Sequence, residues 1–270
     1  MSWWFAVVMG LVQGLTEFIP VSSSAHLRIV PALLRQPDPG AAYTAVIQLG
    51  TLAAVLVYFA KDLAQFAVPM FKAPTSADGK LPWLIGIGTI PIVIFGVLFK
   101  KHISGELRSL YYPAFSLIAF GIIMIVADRM SSGRDSYKPL AAINLMDAVI
   151  IGLAQTLALV PGVSRSGATI CAALLIGFSR TDSARYSFLL SIPAIAGAAI
   201  FEARHAFTDL SVPMSSVMIG IGVAFVSGYF SISFFIRWLG QHNLIGFAGY
   251  RIVIGVGLLI ALATNFLKPF

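Results

Sequence analysis

The chain has 270 residues, of which 58% are hydrophobic and only 11% are charged. Soluble domains carry about 25% charged residues, so this composition excludes a water-soluble fold and predicts an integral membrane protein. The formal net charge is +7, but the basic residues are scattered rather than collected in a stripe, which argues against a nucleic-acid partner. The single cysteine, Cys171, rules out an internal disulfide and a cysteine-cluster metal site.

Apolar blocks long enough to cross a bilayer recur along the chain. A helical span needs about 20 residues, and six blocks approach that length: about Ala41–Phe59, Leu81–Phe99, Pro113–Ala127, Tyr186–Phe201, Val217–Ile236 and Tyr250–Leu267. The connectors between them are short and rich in charged residues, Pro, Gly and Ser, so none is a soluble domain. We therefore predict that residues 1–270 form one all-α, polytopic membrane domain with about six transmembrane helices.

Two further regions are apolar at both ends and polar in the middle. They are Met1–Leu34, with the polar segment Glu17–His26, and Asn144–Phe178, with the polar segment Pro161–Gly167. A continuous lipid-facing helix through either segment would place ionised side chains in hydrocarbon at high energetic cost. Irregular backbone at that depth is tolerated only where it lines a protein or water cavity. The pattern therefore predicts two re-entrant helix hairpins.

The two polar segments are similar to each other at an offset of 142 residues. Gly10–Leu15 (GLVQGL) aligns without a gap with Gly152–Leu157 (GLAQTL), and the same register places Val21–Ser24 opposite Val163–Ser166. We interpret the chain as an internal repeat, with copies at about residues 1–127 and 140–270. Three spans separate the hairpins, so we predict that they open on opposite sides of the membrane as an inverted repeat. This topology would bring Glu17 and His26 together with Arg165.

The polar residues of these segments predict a phosphate site. Each serine-rich turn precedes a new helix, at about Ala25 and about Gly167, and the free N–H groups of a helix N-terminus attract anions. Arg165 adds a planar guanidinium fork that suits phosphate oxygens. Gln13 and Glu17 lie four residues apart on one helix face, and their oxygens suit a divalent cation, Mg²⁺ or Ca²⁺. The predicted pyrophosphate-binding residues are Ser22, Ser24, Ser164, Arg165, Ser166 and Gly167.

Four residues are predicted to be catalytic: Glu17, Ser23, His26 and Arg165. His26 follows Glu17 across the break, which favours a functional histidine over a structural one. The nucleophile is either Ser23 activated by His26 or a water molecule activated by His26, and the sequence does not separate the two. Arg28 and Arg251 are each predicted to snorkel to the membrane interface.

The two motifs closely resemble the signatures of bacterial undecaprenyl-diphosphate phosphatases of the bacitracin-resistance type. They are Gln13–His26 (QGLTEFIPVSSSAH) and Pro161–Thr169 (PGVSRSGAT), and the resemblance covers essentially the whole chain. The family's second acidic position, histidine and essential arginine match Glu17, His26 and Arg165. Gln13 stands where other members carry Glu or Gln, and glutamine removes one charge from the predicted cation site.

The resemblance implies a cytoplasmic-membrane enzyme that hydrolyses undecaprenyl pyrophosphate to undecaprenyl phosphate and inorganic phosphate. This reaction recycles the lipid carrier for cell-wall synthesis and confers bacitracin resistance. The alternative is a transporter or flippase of prenyl phosphate lipids, because inverted repeats with broken helices also build transporters. A homodimer is compatible with such a bundle, and the sequence does not decide it.

The flanking charges predict an orientation. Nine Lys and Arg residues lie on the side that holds the loops after Phe59, Ala127, Phe178 and Ile236, and six lie on the other side. By the positive-inside rule the first side is cytoplasmic. The active site is then predicted to face the outer, periplasmic side of the membrane.

Overall fold

The structure, a computed structural model, describes residues 1–99, 109–206 and 212–269, and for residues 200–206 it describes the helical backbone alone. The described residues are predominantly helical, and Lys138 and Phe178 form an isolated β-bridge. The helices are α1 (Trp3–Phe18), α2 (Ser23–Leu33), α3 (Gly40–Tyr58), α4 (Ala60–Ala67), α5 (Pro69–Lys72), α6 (Ala77–Leu98), α7 (Tyr111–Ser132), α8 (Leu145–Thr156), α9 (Arg165–Leu175), α10 (Arg180–Ala206), α11 (Met214–Leu239) and α12 (Ile245–Ala263). Two short 3₁₀ turns cover Leu140–Ala142 and Leu157–Leu159.

Five helices among the described residues are long and apolar enough to cross a membrane: α3, α6, α7, α11 and α12. They coincide with five of the six predicted spans, so the prediction of a multi-pass membrane protein is confirmed. The sixth predicted span, Tyr186–Phe201, lies inside α10. The side chains of α10 beyond residue 199 lie outside the described residues, so its crossing of the membrane stays a prediction.

Two pairs of short helices replace full spans at the places where the sequence predicts hairpins. Helix α1 has 16 residues and α9 has 11, so at 1.5 Å per residue neither reaches the roughly 30 Å of a bilayer core. Within each pair, α1 with α2 and α8 with α9, the two helices pack against each other. Each pair is therefore a helix, a break and a second helix in contact with the first.

Proline accounts for both breaks. The residue before a proline is driven out of the helical region by a clash with the proline ring, and proline itself has no N–H to donate. Ile19, before Pro20, is extended with ψ 135°, and Val160, before Pro161, is extended with ψ 121°. Helix α1 therefore ends at Phe18, and the α8 segment ends with the 3₁₀ turn at Leu159.

Glycines interlock the two halves of the chain. Helix α1 packs along α11 from the second half, while α8 packs along α6 from the first half. A Cβ on Gly10 would lie 2.7 Å from the Gly220 carbonyl oxygen, and one on Gly152 would lie 2.4 Å from the Gly88 carbonyl oxygen. Gly10 and Gly152 are aligned positions of the sequence repeat, so each first helix depends on the same close approach to the opposite half.

Candidate active site

The first break (residues 19–22) and the second break (residues 160–164) end in aligned serines with the same φ. Ser22 and Ser164 both have φ 75°, in the left-handed region that a side chain disfavours. Ser22 Oγ lies 3.1 Å from Ser24 Oγ, and Ser164 Oγ lies 3.1 Å from Ser166 Oγ. Both helices begin two residues earlier than predicted, α2 at Ser23 and α9 at Arg165.

The two breaks meet through a buried ion pair. Arg165 Nη2 donates to Glu17 Oε1 at 2.6 Å, and Arg165 Nη1 donates to the carbonyl oxygen of Ser191 at 3.1 Å. The Glu17 side chain is 6% exposed and that of Arg165 is 14% exposed, so both charges are largely out of water. The predicted meeting of Glu17 with Arg165 is confirmed. A desolvated pair of this kind is stable only while both partners are present.

The other oxygen of Glu17 is bound to the first copy's own side chains. Ser23 Oγ donates to Glu17 Oε2 at 2.6 Å, and Gln13 Nε2 donates to the same oxygen at 3.0 Å. The predicted shared face of Gln13 and Glu17 is therefore present. Ser23 is placed to give its proton to a carboxylate, which is the arrangement that activates a hydroxyl nucleophile.

His26 lies apart from this contact, on the next turn of α2. Its Nδ1 lies 2.8 Å from the Ser22 carbonyl oxygen, and its Nε2 lies 2.8 Å from the Tyr250 hydroxyl. A carbonyl only accepts, so Nδ1 carries the proton and Nε2 of the neutral ring accepts from Tyr250. The two rings stack with centroids 5.6 Å apart. In the part of the chain that the structure describes, Ser23 is hydrogen-bonded to Glu17 and His26 to Tyr250, so of the two predicted alternatives this geometry does not favour Ser23 activated by His26.

The predicted phosphate-binding residues of the two breaks are linked by hydrogen bonds, and most of them are buried. Ser24, which is exposed, accepts a hydrogen bond from the Gly162 N–H at 3.3 Å. Ser164 Oγ accepts from the Gly167 N–H at 3.1 Å and so caps α9. Ser166 Oγ donates to the Glu17 carbonyl oxygen at 3.4 Å. The sequence-predicted residues of both copies are thus brought together, with Ser24 at the solvent-exposed edge.

Arg251 of α12 is the main residue that sequence reasoning misplaced. It is 0% exposed, and it donates to the carbonyl oxygens of Pro20, Gly162 and Val163 at 2.8 Å each. The prediction that Arg251 snorkels to the interface is wrong. The breaks leave carbonyl groups without helical partners, and a guanidinium with five N–H groups is suited to satisfy several of them.

Two other residues, Arg28 and Tyr250, remain to be placed. Arg28 lines a cavity of about 320 Å³ together with Arg35 and Lys268. Tyr250, the partner of His26, carried no signal in the sequence, because an aromatic residue at the start of an apolar helix is also typical of the membrane interface.

A divalent cation fits this site only together with a phosphate ligand. No group of three or more His, Cys, Asp or Glu side chains that could hold a metal occurs among the described residues. Gln13 Oε1, however, is buried and has no hydrogen-bond partner, and it lies on the residue bound to Glu17. One carboxylate and one amide oxygen match the way Mg²⁺ is held when substrate phosphates and water complete its shell.

An apolar cavity lies between α4 and α10. Its volume is about 340 Å³, and its lining residues include Leu63, Phe66, Ala67, Leu189, Ile192 and Pro193. Leu189 and Ile192 are within two residues of Ser191, whose carbonyl oxygen accepts a hydrogen bond from Arg165. We call this cavity the α4–α10 groove.

The helices and the site define a class of protein. The chain is a multi-pass α-helical membrane protein in which an acid, a serine and an arginine gather where two helices break. Residues 6–257 match the family model described as bacitracin resistance protein BacA. The chain therefore belongs to the bacitracin resistance protein BacA family.

Full-length relatives support the same family. A Chlorobaculum parvum protein named undecaprenyl-diphosphatase is 45% identical over 278 residues, covering 98% of each chain. Undecaprenyl-diphosphatase 2 of Streptomyces avermitilis is 42% identical and covers 100% of this chain and 98% of its own. The undecaprenyl-diphosphatase of Corynebacterium diphtheriae is 44% identical, with 98% and 96% covered.

Proposed function

We propose that this protein is an undecaprenyl-diphosphatase, which hydrolyses undecaprenyl diphosphate to undecaprenyl phosphate and inorganic phosphate. The names of its relatives support this substrate. The reaction recycles the lipid carrier for cell-wall synthesis and confers bacitracin resistance, in keeping with the family description. The structural observation that carries the proposal is the buried contact of Glu17 with Ser23 and Arg165, because it joins a base, a nucleophile and a phosphate ligand.

We further propose that the two helix pairs are re-entrant hairpins of an inverted repeat in the bacterial inner membrane. The equivalent turns at Ser22 and Ser164 and the equivalent glycine contacts at Gly10 and Gly152 support the repeat. The charge bias of the loops supports an active site that faces the periplasm. There the site receives the diphosphate head from the outer half of the membrane.

The diphosphate is bound between the two breaks. Arg165 holds oxygens of the terminal phosphate with its guanidinium fork, and the amides at the starts of α2 and α9 bind the rest of the charge. Ser22, Ser24, Ser164 and Ser166 supply hydroxyl donors around it. These groups stabilise the charge that develops on the transferred phosphoryl group, which is the main contribution a protein makes to this chemistry.

The first chemical step transfers the terminal phosphoryl group to Ser23. The Ser23 oxygen forms a bond to the terminal phosphorus as the bond from that phosphorus to the bridging oxygen breaks. The serine proton moves to Glu17, which already accepts a hydrogen bond from it. Undecaprenyl phosphate leaves with the bridging oxygen.

The second step hydrolyses the phosphoserine. A water oxygen bonds to phosphorus while the bond to Ser23 breaks, and the proton held by Glu17 returns to the serine oxygen. The water proton passes to His26 Nε2, the ring nitrogen that carries no proton in the resting site, and leaves with inorganic phosphate. Tyr250 orients this nitrogen until water replaces it.

Gln13 and Glu17 would hold a divalent cation, Mg²⁺ or Ca²⁺, against the phosphate oxygens. When bound, the cation supplies charge neutralisation on the phosphate oxygens. The unpartnered Gln13 Oε1 supports this placement.

The prenyl tail is proposed to lie in the α4–α10 groove. A tail attached to a phosphate at Arg165 must leave through an apolar path, and Leu189 and Ile192 of the groove lining are within two residues of Ser191, the carbonyl partner of Arg165. Apolar side chains there replace the hydrocarbon that surrounds the tail in the bilayer.

The proposed function is tested with purified protein, Mg²⁺ and undecaprenyl diphosphate. We expect release of one phosphate per lipid, and none from the Glu17→Ala protein inserted in the same membranes. Absence of release from the unaltered protein, combined with movement of the lipid between the leaflets of liposomes, would instead assign it to the transporters.

A further inference from the structure

One guanidinium contacts equivalent positions of the two breaks. Arg251 Nη1 donates to the carbonyl oxygen of Pro20, and Arg251 Nη2 donates to that of Gly162. Pro20 and Gly162 are aligned residues of the sequence repeat, separated by the same 142 positions as Ser22 and Ser164. Arg251 therefore lies between the two copies and binds each of them at the same place.

The bonds from Arg251 fix the peptide planes that lead into the two strained serines. A peptide unit is planar and trans, so a held carbonyl also sets the direction of the N–H on its other side. Val163, whose carbonyl oxygen is also bound, directly precedes Ser164, and Pro20 stands two residues before Ser22. Both serines have φ 75°, a conformation that persists only when the surroundings impose it.

Among the residues that the structure describes, the charge of Arg251 has no acidic partner. Within the described parts of the chain none of the ion pairs involves Arg251, although its side chain is 0% exposed. Its Nη1 also lies against the first turn of α9, 3.2 Å from where a Cβ on Gly167 would be. The described partners of this arginine at 2.8 Å are the carbonyl groups of the breaks.

We infer that Arg251 is a positioning residue. From its place between the two copies, it holds both phosphate-binding turns in the backbone conformation that catalysis needs. The inference rests on the proposed function for its catalytic consequence, but the geometry of the breaks can be measured without substrate. Lysine cannot replace it, because an ammonium is a compact donor that does not span carbonyls on two segments as the planar fork does.

The kinetic test compares Arg251→Lys with Arg180→Lys. Arg180 also uses two guanidinium nitrogens, which donate to the Asp128 carboxylate at 2.6 and 3.1 Å, but it contacts neither break. We expect Arg251→Lys to lower kcat about 100-fold, as loss of an aligned donor set does, with a smaller change in KM. Arg180→Lys should keep kcat within about twofold of the parent value, although its melting temperature should fall about as much as that of Arg251→Lys.

The geometric test places spin labels at Leu15→Cys and Leu157→Cys. These aligned residues lie within four residues of the two breaks and are 46% and 48% exposed, whereas Cys171 is 3% exposed and stays unlabelled. We expect a narrow distance distribution in the parent protein, a broad or shifted one with Arg251→Lys, and the parent distribution with Arg180→Lys.

The two tests fail separately. Unchanged kcat, or equal losses of kcat in both lysine variants, would overturn the positioning role, as would an unchanged spin-label distribution in Arg251→Lys. If the unaltered protein releases no phosphate while the distribution still broadens, the proposed function fails and the role of Arg251 in shaping the breaks stands.

Discussion

The two breaks end in serines of the same φ and differ in most of their other residues. Both contain a serine at φ 75° and a pair of serine hydroxyls 3.1 Å apart. In the sequence alignment of the two copies, however, Glu17 is aligned with Leu159, Ser23 with Arg165, and His26 with Ala168. In the proposed mechanism the two turns bind the diphosphate and the reactive groups are divided between them. The first copy is proposed to supply the acid, the nucleophile and the histidine, and the second the arginine.

The largest effect is expected from removing the difference at the aligned positions 23 and 165. Arg165→Ser gives the second break the side chain of the first, and leaves Glu17 without its buried counter-charge. We expect phosphate release to fall by about 10³-fold or more, because a charged donor aimed at the transition state is lost. Release within tenfold of the parent rate, from protein shown to be folded in the membrane, would mean that the second copy is not needed for phosphate binding.

Ser23→Ala is expected to lower kcat by about 10³-fold, as loss of a nucleophile does when binding groups remain. The matched variant is Ser24→Ala, one residue on, which should lose less than about tenfold. Mass spectrometry of acid-quenched turnover mixtures should find phosphate on Ser23 in the parent protein. Substantial turnover by Ser23→Ala would assign the attack to water.

The α4–α10 groove is lined by residues of both halves of the chain, so filling it tests where the prenyl tail lies relative to the two breaks. Ala67→Trp would fill the groove, whereas Ala64→Trp adds the same bulk on the same helix at a position outside its lining. We expect Ala67→Trp to raise KM for undecaprenyl diphosphate about tenfold, which corresponds to about 1.4 kcal/mol, and to leave KM for farnesyl diphosphate unchanged. Equal KM values in both variants would place the tail elsewhere.

The smallest expected effect concerns the aligned glutamines. Gln13→Glu adds a charge beside Glu17, so the Mg²⁺ concentration for half-maximal activity should fall several-fold. Gln155→Glu makes the same change in the second copy, where Leu159 stands at the position aligned with Glu17. This variant should leave the Mg²⁺ requirement of the folded protein unchanged. An equal response of the two variants, measured by Mg²⁺ titration, would show that the first copy does not bind the cation.

The spans, the two breaks and the contact of Glu17 with Arg165 could be predicted, because each depends on residues that are close together in the sequence or on the number of spans between the motifs. Five spans follow from apolar length. The contact of Glu17 with Arg165 could be predicted by counting the spans between two similar motifs. Ionised side chains inside a membrane are costly unless they are paired, so the charges of the two motifs were expected to meet. The breaks follow the prolines at 20 and 161, which act on the residue directly before them.

The contacts of Arg251, Tyr250 and Ser23 could not be predicted, because they depend on the rotation of helices about their axes. A lone arginine in an apolar helix has the same pattern whether it faces lipid or the interior. The carbonyl groups that Arg251 binds lie 231 and 89 residues away in sequence. The hydrogen-bond partner of Ser23 could not be predicted for a similar reason, since His26 is three residues away but turns toward Tyr250 on α12.

The central claim is that Glu17 of the first copy and Arg165 of the second act as one unit, and a double-mutant cycle tests it most directly. The kcat of purified Glu17→Ala, Arg165→Ala and the double variant would be measured with undecaprenyl diphosphate. Residues that act as a unit are strongly non-additive, so we predict that the double variant is no slower than the slower single variant. Losses that multiply in the double variant would contradict the account.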